Sequence, residues 1–130
     1  MTDQNLTGAK TILVVDDFSD NLVLVSLWLQ SKGYRVLSAE NGARAIEIAA
    51  LARPDLIIMD IHMPELDGFG ATRRIRQRAE LKTVPVIALT AFSTEGFQKA
   101  AIDAGIDGYL NKPIDFPKLE NLISRLLQES

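Results

Sequence analysis

The chain has 130 residues and a mass of 14.3 kDa, enough for one domain with its own core. A content of 47% hydrophobic and 24% charged residues excludes a collagen-like or disulfide-stapled chain and disorder over most of the length. The absence of cysteine excludes thiolate metal sites, thiol nucleophiles and redox switches. Seventeen acidic against fourteen basic residues give a net charge of −3, the wrong sign for a dedicated nucleic-acid binder.

The polar start, residues 1–9, has neither the basic flank nor the apolar centre of a signal peptide and reads as a loose lead-in to a domain over 10–130. No apolar run approaches the roughly 20 residues of a bilayer span, so a cytoplasmic protein without membrane insertion is expected. Thr11–Val15 is a β-branched run, apolar on both faces, as suits a buried parallel strand. Ser19 is placed to cap a helix running to Lys32, with Asp20 in its first turn and Gly33 as its stop.

Tyr34–Ser38 predicts a short strand, and Asn41 the cap of a helix over Ala43–Ala52 that ends before Pro54. Asp55–Asp60 predicts the most buried strand. Asp67 caps a helix through Arg78, and Val84–Thr90 is a strand with Pro85 at its entry. A helix from Thr94 to Ala104-Gly105, a strand over 107–110 and a helix over Asp115–Gln128 complete the order. Strand and helix alternate five times, which predicts an α/β fold: a doubly wound five-stranded parallel sheet in the flavodoxin-like order 2-1-3-4-5, with helices on both faces.

In such a sheet ligands bind beyond the carboxyl ends of the strands, where the winding reverses. Those ends carry Asp16 and Asp17, Asp60, Thr90, and Asn111-Lys112. Three converging carboxylates repel one another unless a divalent cation joins them, and an all-oxygen set suits Mg²⁺, with Mn²⁺ as a substitute. Carboxylates, a lysine and a hydroxyl form an assembly for phosphoryl transfer: Asp60 attacks, Lys112 neutralises charge and Thr90 donates a hydrogen bond. No phosphate-binding glycine loop for ATP is present, so the phosphoryl group comes from another donor.

Four motifs, in order, carry a resemblance: Val15-Asp16-Asp17, Met59-Asp60-Ile61-His62-Met63-Pro64-Glu65-Leu66-Asp67-Gly68, Leu89-Thr90-Ala91 and Lys112-Pro113. Over residues 10–128 the chain resembles a receiver domain of the two-component response regulators. The resemblance implies that Asp60 is phosphorylated by a histidine kinase or a histidine phosphotransfer protein. It implies direct Mg²⁺ ligation by Asp17, Asp60 and the backbone carbonyl of His62, with Asp16 acting mainly through water. Thr90 and Lys112 would contact the phosphoryl group, the bond before Pro113 would be cis, and Tyr109 would be a switch aromatic coupled to Thr90. The chain's end soon after the last helix leads to the expectation of a stand-alone regulator of the chemotaxis or cell-cycle type, without a DNA-binding output domain, rather than a domain of a hybrid kinase.

From the residues alone, Tyr109 is as well read as plain half-buried packing. The ring of His62 is expected at the mouth of the site, only its carbonyl being functional, with an effect on phosphate lifetime as the other reading. Arg73, Arg74, Arg76 and Arg78 read as a solvated face, and Gly70 has no evident role. In the first helix a core stripe takes Asn21, Leu24, Val25, Trp28 and Leu29. Leu22, Val23 and Leu27 are then left outside, either as scattered apolar residues or, with Pro113, as a docking surface for the phosphodonor. The output surface is expected around Ala91, Phe92, Phe97 and Tyr109, facing an unidentified downstream protein, with Phe92 shielding the acyl phosphate. Two other classes compete on residues: an aspartyl phosphatase would want an acid two residues after Asp60, where His62 stands, and a flavodoxin-like cofactor binder would want a phosphate-cradling loop in place of Asp16-Asp17-Phe18-Ser19.

Overall fold

The computed structural model describes residues 9–91 and 96–128. Five strands, β1 (Thr11–Val15), β2 (Arg35–Ala39), β3 (Leu56–Asp60), β4 (Val86–Thr90) and β5 (Gly108–Asn111), form one parallel sheet in the order β2-β1-β3-β4-β5. The helices are α1 (Ser19–Ser31), α2 (Gly42–Ala52), α3 (Gly68–Arg76), α4 (Phe97–Ala104) and α5 (Phe116–Gln128). The expected topology is therefore the observed one. The expectations for residues 1–8, for Phe92 and for a helix start at Thr94 lie outside the described residues.

Alternation along the strands sorts the core into two layers. Ile12 and Val14 of β1, Ile58 of β3 and Ile87 of β4 pack with Leu22, Val25 and Leu29 of α1 and Leu119 and Ile123 of α5. Leu13 and Val15, Ile57 and Met59 point the other way, against Ala45 and Ala49 of α2 and Ala71 and Ile75 of α3. β3 lies at the centre with all five residues buried, which its uniform apolarity up to Asp60 requires.

Two side-chain caps stand where the sequence places them: Asn41 Oδ1 accepts from Arg44 N at 2.8 Å and Asp67 Oδ1 from Gly70 N at 2.8 Å. Ser19 is not a cap. It is already helical, Phe18 is the capping position, and the preceding turn is held by Asp16 Oδ1, which accepts from Phe18 N at 2.9 Å. The stripe on α1 is also corrected. Leu22 is buried with Val25 and Leu29, whereas Leu24 is 55% exposed. The apolar residues of this helix permit more than one stripe, and the one at i, i+3, i+7 faces the sheet. α3 is shorter than expected: after Arg76 the chain tightens through i−3 bonds (Gln77 N to Arg74 O, Arg78 N to Ile75 O) into a 3-10 turn at Ala79–Leu81.

Candidate functional site

The carboxyl edge of the sheet gathers the polar strand ends. Asp16, Asp17 and Asp60 each present a carboxylate oxygen, these atoms lying within 4.8 Å of one another, with Asp16 and Asp60 buried and Asp17 exposed. Lys112 reaches over from the end of β5, its Nζ 3.2 Å from Asp60 Oδ2 and 3.7 Å from Asp16 Oδ2. Its backbone N–H extends the β4–β5 ladder by donating to Thr90 O at 2.8 Å, and the Lys112-Pro113 bond that follows is cis.

Asp60 is fixed at both oxygens, because Oδ1 accepts from the backbone N–H of His62 at 3.1 Å. The ladder continues past it, Ile61 N donating to Leu89 O, so the carboxylate sits on a rigid strand end. Gly68 lets α3 begin directly against this strand: a Cβ there would meet Asp60 O and Ile61 Cα at 2.8 Å. Gly70 has a packing role after all, leaving the space that Leu66 Cδ1 occupies, 2.8 Å from where its Cβ would be.

Carboxylates at the opposite edge are differently used. Asp55 Oδ2 accepts from Thr11 N at 2.7 Å, and Asp107 Oδ2 from Val86 N at 2.8 Å, so both terminate strand ladders. At the carboxyl edge the acidic oxygens instead face one another. Burial pushes the Asp16 carboxyl above the ordinary carboxylate range; the Phe18 N–H and Lys112 oppose the rise, and Asp60 and Asp17 add to it. A carboxyl whose folded-state value is raised stabilises the fold below its unfolded value and loses that contribution as pH climbs through the folded one. Asp16→Asn, permanently neutral, is thus expected to raise the melting temperature at pH 7 in EDTA by a few degrees. Calorimetry checks this, and a lowered melting temperature would contradict it.

Thr90, at the end of β4, is fully buried, and its Oγ1 lies 3.0 Å from Nε2 of His62. The His62 ring is therefore turned onto Thr90 rather than merely lining the mouth, a direction set by the turn after β3 that residue type does not reveal. Tyr109 is half-buried, its hydroxyl accepting from Gln98 Nε2 at 2.9 Å and its ring meeting Phe97 edge-on at 4.9 Å. Phe97, expected on the surface, is buried between Phe69 and Tyr109. On α1, Val23, Leu24 and Leu27, with Phe18 just before it, expose 55–60% of their surface, and Pro113 is exposed. Leu22, expected among them, belongs to the core.

The hard-oxygen set of Asp16, Asp17 and Asp60 fits Mg²⁺: mutually close carboxylates compensated in part by one lysine need further positive charge. No described helix is long and apolar enough to cross a membrane.

Residues 12–124 match the family model of the response regulator receiver domain. The polar-differentiation response regulator DivK of Brucella anthropi is 34% identical over 121 residues, 93% of this chain and 98% of that protein. Among solved structures, the chemotaxis protein CheY4 of Vibrio cholerae superposes with a TM-score of 0.88 at 31% identity, covering 92% of this chain and 99% of the other. The receiver domain of the sensor histidine kinase PA1611 of Pseudomonas aeruginosa, with magnesium coordinated in its active site cleft, gives 0.86 at 36% identity over 94% of this chain and all of the other.

Proposed function

The chain belongs to the response regulator receiver family of two-component signalling, and from that premise we propose that Asp60 is its phosphoacceptor. The observation that carries this reading is the double anchoring of Asp60, by Lys112 at Oδ2 and the His62 N–H at Oδ1, inside a cluster of three carboxylates. A nucleophile held at both ends meets phosphorus in one orientation.

The donor is a phosphohistidine of a histidine kinase or a histidine phosphotransfer protein. An Asp60 oxygen forms a bond to phosphorus as the phosphorus–nitrogen bond breaks, its electron pair returning to the donor imidazole, and an aspartyl phosphate results. Lys112, already against Asp60, offsets charge on the transferred group, and the Thr90 hydroxyl turns to donate to one of its oxygens. Asp16, Asp17, Asp60 and the His62 carbonyl would hold Mg²⁺ (or Mn²⁺), which supplies charge neutralisation at the phosphoryl oxygens. Asp16 would act mainly through water. Thr90 and Tyr109 are the switching pair, and the half-buried Tyr109 ring is placed to respond when Thr90 moves. The product is a changed surface rather than a released molecule.

The exposed apolar residues Phe18, Val23, Leu24 and Leu27, with exposed Pro113, form the docking surface for the donor. The downstream protein then reads the face around Ala91 and Tyr109. The test is intact mass after incubation with acetyl phosphate. A gain of one phosphoryl group that requires Mg²⁺ and is lost in EDTA is expected; no gain by the folded protein would overturn the assignment.

A further inference from the structure

Resting on the phosphoacceptor reading of Asp60, we propose that His62 is a positioning residue whose imidazole holds the Thr90 hydroxyl in the resting conformation and releases it when the phosphoryl group arrives. His62 touches both partners of the switch. Its backbone N–H donates to Asp60 Oδ1 at 3.1 Å, and its ring Nε2 lies 3.0 Å from Thr90 Oγ1, across 28 residues of sequence.

The two side chains differ in burial. Thr90 is fully buried on a strand whose ladder runs through it, its carbonyl accepting from Lys112 N, so its backbone has no latitude. A threonine on fixed backbone changes only by hopping between a few staggered χ1 wells. In the resting well its hydroxyl meets His62 Nε2, and another well would direct it toward the phosphoryl oxygens above Asp60. The His62 side chain, by contrast, is exposed and lies outside the core.

The hydrogen bond thus belongs to one state of a two-state element. An interaction made only in the resting state lowers the apparent affinity for any ligand that needs the other state, by the fraction of competent molecules it removes. Loss of one neutral hydrogen bond corresponds to roughly threefold to tenfold in that affinity.

The probe is beryllium fluoride, an acyl-phosphate mimic, titrated calorimetrically into the protein at saturating Mg²⁺. His62→Ala is expected to bind it roughly threefold to tenfold tighter than the parent. His62→Phe, which keeps a planar ring without a hydrogen-bonding nitrogen, is expected to tighten likewise. In methyl-labelled threonine spectra of the ligand-free His62→Ala protein, the Thr90 resonance is expected to move toward its position in the beryllofluoride-bound parent. A merely structural role for His62 would not produce that displacement. Equal or weaker binding by His62→Ala, parental affinity in His62→Phe, or an unmoved Thr90 resonance would each overturn the proposal. Failure of the parent itself to bind beryllofluoride would instead remove the phosphoacceptor reading on which it rests.

Discussion

Asp60→Asn is expected to reduce phosphoryl uptake from acetyl phosphate to below about 1% of the parent rate, because an amide oxygen is a far weaker nucleophile than a carboxylate. The substitution is nearly isosteric, and the amide oxygen it introduces can still accept from the His62 N–H, so the loss would reflect chemistry rather than geometry. The two neighbouring carboxylates are not equivalent substitutes. Asp16 sits farther from Lys112, at 3.7 Å against 3.2 Å for Asp60. Asp17 is exposed and opens the turn into α1. Intact mass over a time course, in Mg²⁺ and with equal protein, checks the prediction. Uptake retained in Asp60→Asn would move the acceptor to one of those two neighbours.

The carboxyl-edge site was legible from the sequence because a parallel sheet leaves no choice about where strand ends go. Five strand segments separated by helical segments force one edge to collect every C-terminal residue, so Asp16, Asp17, Asp60, Thr90 and Lys112 had to converge once the strand order was correct. What was not legible depends on rotation about an axis. The apolar residues of α1 at 22, 23, 24, 25, 27, 28 and 29 offer several stripes, and the fold buries Leu22 rather than Leu24. The ring of His62 follows the path of the loop after β3, which no spacing encodes. Arg76 was hidden for a different reason: four arginines in six residues look alike, and only its place four residues after Thr72, along the buried edge of α3, marks it out.

That arginine carries the largest expected effect on stability. Arg76→Ala is expected to destabilise the fold by about 3 kcal/mol, since several charge-assisted hydrogen bonds are lost together. Its Nη1 donates to Val84 O at 2.6 Å and Leu81 O at 3.1 Å, while Nη2 and Nε donate to Gly105 O at 2.7 and 3.1 Å. Nη2 also reaches Asp107 Oδ2 at 2.9 Å, the carboxylate that accepts from Val86 N at the entry of β4. One guanidinium therefore ties the end of α3 to the 3-10 turn, the start of β4 and the end of α4. Gly105 is shaped to admit it. With φ of +95° it closes α4, and a Cβ there would lie 2.9 Å from Arg76 Nε. Lysine keeps the charge but not the planar fork, so Arg76→Lys should recover less than half of the loss. Arg73 and Arg74, exposed on the same helix, provide the comparison, and their alanine variants should stay within about 0.5 kcal/mol of the parent. Urea unfolding with a shared slope measures all four. A midpoint for Arg76→Ala no lower than that for Arg74→Ala would refute the role given to this residue. The fall is expected with the phosphoacceptor chemistry intact at low temperature, because the arginine lies at the edge of the sheet away from Asp60.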